Sequence, residues 1–156
     1  MSENVYLKII KFLDERKVYY QVFEHEPVFT SEQAAEVRGT DIKQGAKALV
    51  FVADKKPIML VISGDKKVDM KKFKQTYGIK NLAFATPDEV GKFTEGVKIG
   101  AVHPLGVIHR LPVYVDGSLG TNKEIVFNAG LHHKSIKMYY RDYYKLVKPI
   151  LGNFSK

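Results

Sequence analysis

The chain has 156 residues and no cysteine, which excludes disulfides, thiolate nucleophiles and thiolate zinc sites together. No apolar run approaches the roughly 18 residues of a membrane span. The N-terminal MSENVYLKII lacks a basic start and a cleavable apolar stretch, so one cytoplasmic domain spanning 1–156, with no membrane contact, is expected. The net charge of +8 is uneven, with 5 Lys/Arg against 7 Asp/Glu in residues 1–38 and a net +10 beyond them. Charge alone admits a polyanionic partner and a lysine-rich solvated surface equally.

Residues 4–17 place Val5, Ile9, Phe12 and Leu13 at helical spacing, with charges on the other side. A short strand is expected over 19–24. Thr30-Ser31-Glu32-Gln33 has the T-x-x-Q form of a capping box, and Gly39 suits the end of that helix. Two β-branched apolar runs, 46–53 and 57–63, flank Asp54-Lys55-Lys56 and predict an antiparallel hairpin at the centre of a sheet. A helix is expected from Asp69 to near Gly78, then a strand from Asn81 to Ala85. Thr86-Pro87-Asp88-Glu89 combines an N-cap threonine, proline at the first helical position and glutamate at the third, marking a helix over 87–94. The stretch 95–112 carries Gly96, Gly100, Gly106 and two prolines, with no obvious element of its own. Strands are expected at 113–116, 125–128 and 135–139, with a terminal helix over roughly 141–148. Mixed helices and hairpin-spaced strands argue for an α+β fold.

Four features could carry chemistry. In a strand over 46–53, Lys47 shares a face with Leu49 and Phe51, so its charge needs an outlet. That outlet is either water, with the stem laid over the sheet end, or an anionic or carbonyl ligand that the ammonium would hold or polarise. In the long loop, Gly100 and Pro104 enclose Ala101-Val102-His103. Glycine allows close backbone approach and proline stiffens it, so this is a ligand-facing wall or a plain connection.

His132 and His133 lie beside a turn at Ala129-Gly130. Neighbouring strand residues face opposite ways and no H-E-x-x-H spacing occurs, so no metal is expected. Tyr139, Tyr140, Tyr143 and Tyr144 lie among Arg141, Lys145 and Lys148, a pattern that either packs on the core or stacks bases. Gly117-Ser118-Leu119-Gly120 lacks the spacing of a nucleophile elbow, and no phosphate or dinucleotide glycine motif is present, so no cofactor is expected.

Taken in order, these segments resemble the YbaK/EbsC and ProXp editing family and the insertion domain of bacterial prolyl-tRNA synthetases. The resemblance rests on His25-Glu26-Pro27-Val28-Phe29-Thr30 with Glu32, Ala34, Ala35, Arg38 and Gly39, and on Gly45-Ala46-Lys47-Ala48-Leu49-Val50. Ser63 to Asp69, Gly100-Ala101-Val102-His103-Pro104, Val113 to Asp116 and Phe127-Asn128-Ala129-Gly130 continue it, so that it covers roughly residues 20–140.

The resemblance implies a mixed, largely antiparallel curved sheet with helices packed around it. It also implies a hydrolase acting in trans on mischarged aminoacyl-tRNA. The substrate implied is the tRNA for proline carrying a small wrong residue (alanine, cysteine or serine), with prolyl-tRNA synthetase as a possible partner. Lys47 would contact the charged 3′ end, and Gly100 and Pro104 would shape the aminoacyl pocket. Thr30, Ser31, Ala101 and Gly130 would line it by position, and His132 or His133 would limit side-chain size. A non-catalytic module that binds tRNA or a synthetase is the alternative. An aminoacyl ester is already activated, so positioning and oxyanion stabilisation suffice without a protein nucleophile.

Overall fold

A computed structural model describes residues 2–156. The first helix, α1 (Ser2–Glu15), buries Val5, Ile9 and Leu13 along one stripe, as the apolar spacing requires. Strand β1 (Tyr20–Glu24) leads to α2 (Ser31–Arg38), where the Thr30 hydroxyl accepts from the Gln33 N–H at 3.1 Å. The Gln33 side chain reaches back to the Phe29 N–H at 3.0 Å rather than to that of Thr30, so the capping box closes one residue early. Gly39 ends the helix at φ 66, in the left-handed region.

Strands β2 (Ala46–Ala53) and β3 (Lys56–Ser63) form the expected antiparallel hairpin. Its two turn residues, Asp54 and Lys55, both have positive φ, at 46 and 73. Next come α3 (Met70–Tyr77), β4 (Leu82–Phe84) and α4 (Pro87–Phe93), whose capping box is complete. The remaining elements are β5 (Val113–Asp116), β6 (Glu124–Leu131), β7 (Lys134–Tyr139), α5 (Tyr140–Val147) and β8 (Ile150–Gly152). Among the described strands and α-helices, β8 alone has no counterpart in the expected element string.

The α+β class is as expected, but the strands divide between two sheets instead of sharing one. Five form a mixed sheet in the order β4-β2-β3-β5-β8, with β5 parallel to both β3 and β8. The other three form an antiparallel sheet, β1-β7-β6. A single bridge between Gly45 and Val126 ties the two together. Alternation along the central hairpin separates two cores. Val50, Met59 and Val61 join Val5, Ile9 and Leu13 of α1, while Phe51, Leu60 and Ile62 join Phe73 of α3 and Phe154.

The segment 95–112 is no surface loop. Val97, Ala101, Val102, His103, Leu105 and Leu111 are all buried, and residues 106–109 form a short 3-10 turn. The fully buried Tyr143 of α5 donates its hydroxyl to the Pro104 carbonyl at 2.7 Å, which resolves that tyrosine in favour of core packing. At the far end, the buried Asp116 carboxylate accepts from the Phe154 and Ser155 N–H groups and from the Ser155 hydroxyl. Lys67 and Lys156 exchange backbone bonds of 2.9 and 2.7 Å.

Candidate active site

A cleft of about 200 Å³ opens where the two sheets meet, at the start of β2. α2 contributes Phe29, Thr30 and Ser31 from its entry and Arg38 from its last position. Ile99, Gly100 and Val102 of the long segment also line the cleft, together with Asn128 of β6. At about 30 Å³ of liquid volume per water, the space holds six or seven waters, which suits a small aminoacyl group and is below the usual size of drug-like pockets.

Lys47 and Gly100 both line this cleft, so the structure brings the two together. The Lys47 ammonium donates to the Lys66 carbonyl at 2.7 Å, which leaves further N–H donors for a ligand. Burial lowers its pKa, Glu32 and Asp65 oppose that shift, and Lys67 adds to it. The charge therefore has a partial outlet within the protein rather than the purely solvent one.

Gly100 adopts φ +89, and a methyl group there would meet His132 Nε2 at 3.3 Å. Its carbonyl accepts from Asn128 Nδ2 at 2.6 Å, which pins the loop to β6. Thr30 and Ser31 also face the cleft, although the Thr30 hydroxyl is engaged as the N-cap.

The other expected residues lie off the cleft lining. Ala101 is buried in the α1-side core, and Val102 takes its place in the wall. Pro104 is buried with its carbonyl turned to Tyr143. Gly130 occupies the bulge of β6 at φ 82. Of the two histidines, His132 supports the wall: its ring lies 4.7 Å from that of Phe29, and its Nε2 is 3.3 Å from the Ile99 carbonyl. His133 offers its carbonyl to the His25 N–H at 3.0 Å. Both sit in the β6–β7 turn, not in a strand.

Arg38 and Asn128 complete the site, and residue spacing did not single them out. Arg38 donates from Nε to the Ser135 hydroxyl and from Nη2 to Asn128 Oδ1, each at 2.9 Å. Asn128 in turn donates to Gly100, so cation, amide and loop form one chain of bonds. With Arg38 as its donor, Ser135 gives its own proton to His25 Nε2 at 2.7 Å, and His25 Nδ1 donates to the Glu26 carbonyl. Burial lowers the Arg38 pKa to about 10, which still leaves it charged at neutral pH. Among the described residues no carboxylate lies within ion-pair reach of it. The cleft thus holds two cations, one of them half-buried against neutral partners, and an anion would complete it.

Behind the loop runs a second chain of bonds. The Leu105 N–H donates to His103 Nδ1 at 3.1 Å, which puts the His103 proton on Nε2. That nitrogen meets His109 Nε2 at 2.8 Å, and His109 Nδ1 donates to Glu95 at 2.9 Å. Lys8 of α1 pairs with the other Glu95 oxygen. Among the described residues no three His, Asp or Glu side chains are grouped to hold a metal ion. No described helix is long and apolar enough to cross a membrane.

Known proteins resemble the chain along most of its length. The chain is 30% identical over 154 residues to the multifunctional Ser/Thr-tRNA deacylase ProXp-y of Escherichia coli K12, covering 96% of this chain and 92% of the relative. It is 29% identical over 147 residues to the prolyl-tRNA editing protein ProX of Acetoanaerobium sticklandii, covering 90% and 88%. The crystal structure of a candidate trans-editing enzyme for prolyl-tRNA synthetase superposes with a TM-score of 0.86 at 26% identity, over 97% of each chain. Residues 25–146 match the aminoacyl-tRNA editing domain, and the chain belongs to that family.

Proposed function

We propose that residues 1–156 act as one editing domain that deacylates mischarged aminoacyl-tRNA in trans. The substrate is tRNA for proline esterified with a small wrong residue such as alanine, cysteine or serine, and prolyl-tRNA synthetase is the candidate partner. One observation carries the reading: a cleft of aminoacyl size is lined by Lys47, Arg38 and the pinned Gly100 segment together.

Lys47 anchors the terminal phosphate or the ester oxygen of the 3′ end, and Arg38 supplies the second positive charge. The Asn128–Gly100 bond fixes the wall against which the amino acid lies. Water, oriented by the cleft wall or by a substrate hydroxyl, attacks the ester carbonyl. The carbon–oxygen bond to the ribose breaks, the freed ribose oxygen takes a proton, and free amino acid leaves. Thr30, Ser31, Ala101, Pro104, Gly130, His132 and His133 contribute shape, through the cleft lining or through the layer behind it. Selectivity for size is modest in such a space, since one methylene is worth about 1–3 kcal/mol.

Single-turnover deacylation on a panel of mischarged tRNAs tests the reading. Serine and threonine belong on that panel because of the E. coli relative's name. Wild type is expected to release a small residue, and Lys47→Ala to be slower by roughly 100-fold or more, the usual cost of a lost electrostatic contact at a reaction centre. A wild-type rate for Lys47→Ala removes the lysine from the scheme. Binding without turnover on every member would instead identify a non-catalytic tRNA-binding module.

A further inference from the structure

Phe29 is an apolar ring where water would be expected to exclude one. It lines the cleft, yet it is 68% exposed, and Ile99, which also lines it, is 50% exposed. A lone exposed apolar side chain carries no message, but two flanking the mouth of one cleft that also holds two cations do. The ring is not loosely placed. The Phe29 N–H is held by Gln33 at 3.0 Å, and the preceding N–H, of Val28, by the His132 carbonyl at 3.0 Å. One side of the ring rests on His132 at 4.7 Å with the planes inclined by 36°. The backbone is thus fixed at Phe29 and at the residue before it, beneath a largely free aromatic surface, which is how proteins build platforms for unstacked nucleobases.

We propose that Phe29 is the stacking platform for a purine base, the terminal adenine of the charged 3′ end, with His132 as its backing. This rests on the deacylase reading and adds to it the group that recognises the nucleoside. The ester, the phosphate and the base of one terminal nucleotide would then meet Gly100, the two cations and the ring respectively. Stacking does not depend on the amino acid, so the contact holds any charged end while the cleft selects the acyl group.

The absence of tryptophan from the chain provides a clean probe. In Phe29→Trp the new indole is the sole tryptophan, and its emission is expected to be quenched saturably by adenosine 5′-monophosphate while inorganic phosphate leaves it unchanged. Phe29→Leu keeps apolar bulk without a π-face. It is expected to raise KM for charged tRNA by roughly 5- to 150-fold, the range of a lost base–aromatic contact, with kcat held and Phe29→Tyr restoring the wild-type value.

A Leu variant with wild-type KM, or an indole indifferent to the nucleotide, overturns the proposal. Either could occur while wild type still deacylates, which leaves the deacylase reading standing. Nucleotide-dependent quenching in a protein that releases no amino acid would do the reverse.

Discussion

Acid should weaken this fold at a pH where most proteins are indifferent, because His103 is buried as a neutral ring. Its Nδ1 already accepts from Leu105 and its Nε2 faces His109 Nε2, so a second proton would set two N–H groups against each other. Burial, with His109 adding to it, pushes its pKa from 6.5 down to about 3. The unfolded chain takes up that proton below its ordinary pKa of about 6.5, while the folded chain does not until about pH 3. Stability is therefore complete above that window and lost as pH falls through it.

The slope is about 1.4 kcal/mol per pH unit, which gives a loss of about 2 kcal/mol between pH 8 and pH 5. His109, also depressed mainly by burial, adds in the same direction. Asp54, Glu95 and Asp116, all held below their ordinary values, titrate below about pH 4.5 and stay outside this window. Urea unfolding at pH 8, 6.5 and 5 should show the wild-type midpoint falling by about 1 M, for a typical slope of about 2 kcal/mol per molar urea. His103→Asn should start lower and fall less. Parallel curves for the two proteins across that range would refute the buried neutral pair.

Arg38→Met keeps the stem and removes the cation. It should lower kcat/KM for charged tRNA by about 10-fold or more and flatten its salt dependence, as deacylation at several ionic strengths would show. Arg38→Lys should restore only part of that loss, because an ammonium cannot serve Ser135 and Asn128 from one rigid fork. Gly64→Ala should destabilise the protein by about 1–3 kcal/mol in thermal unfolding, since a methyl group there would lie 2.5 Å from the Ile42 carbonyl oxygen, which is backbone and cannot swing aside.

The local elements were legible because short-range chemistry dictates them. The β2–β3 hairpin follows from two β-branched runs around a polar turn, and α4 from a capping box that the structure completes on both sides. Sheet membership was not legible: β1 pairs with β7 across more than a hundred residues, and no periodicity in Tyr20–Glu24 encodes that partner. Strand β8 was missed because three residues at a sheet edge, Ile150 to Gly152, carry too little pattern. The site divides the same way. Lys47 stood out as a charge on an apolar face and Gly100 as a glycine in an unusual loop. Arg38 carried part of the resemblance but no role of its own, because its partners Ser135 and Asn128 come to it from 97 and 90 residues away. His103 and His109 meet only because the intervening backbone curls into a 3-10 turn.

The acceptor of the Lys47 ammonium is a carbonyl in the turn after β3, and the next residue of that turn is paired through its backbone with Lys156. Phe154 and Ser155 are in turn clasped by Asp116. A substitution that strains residues 154–156 would therefore reach the Lys47 side chain through hydrogen bonds on either side of one peptide link.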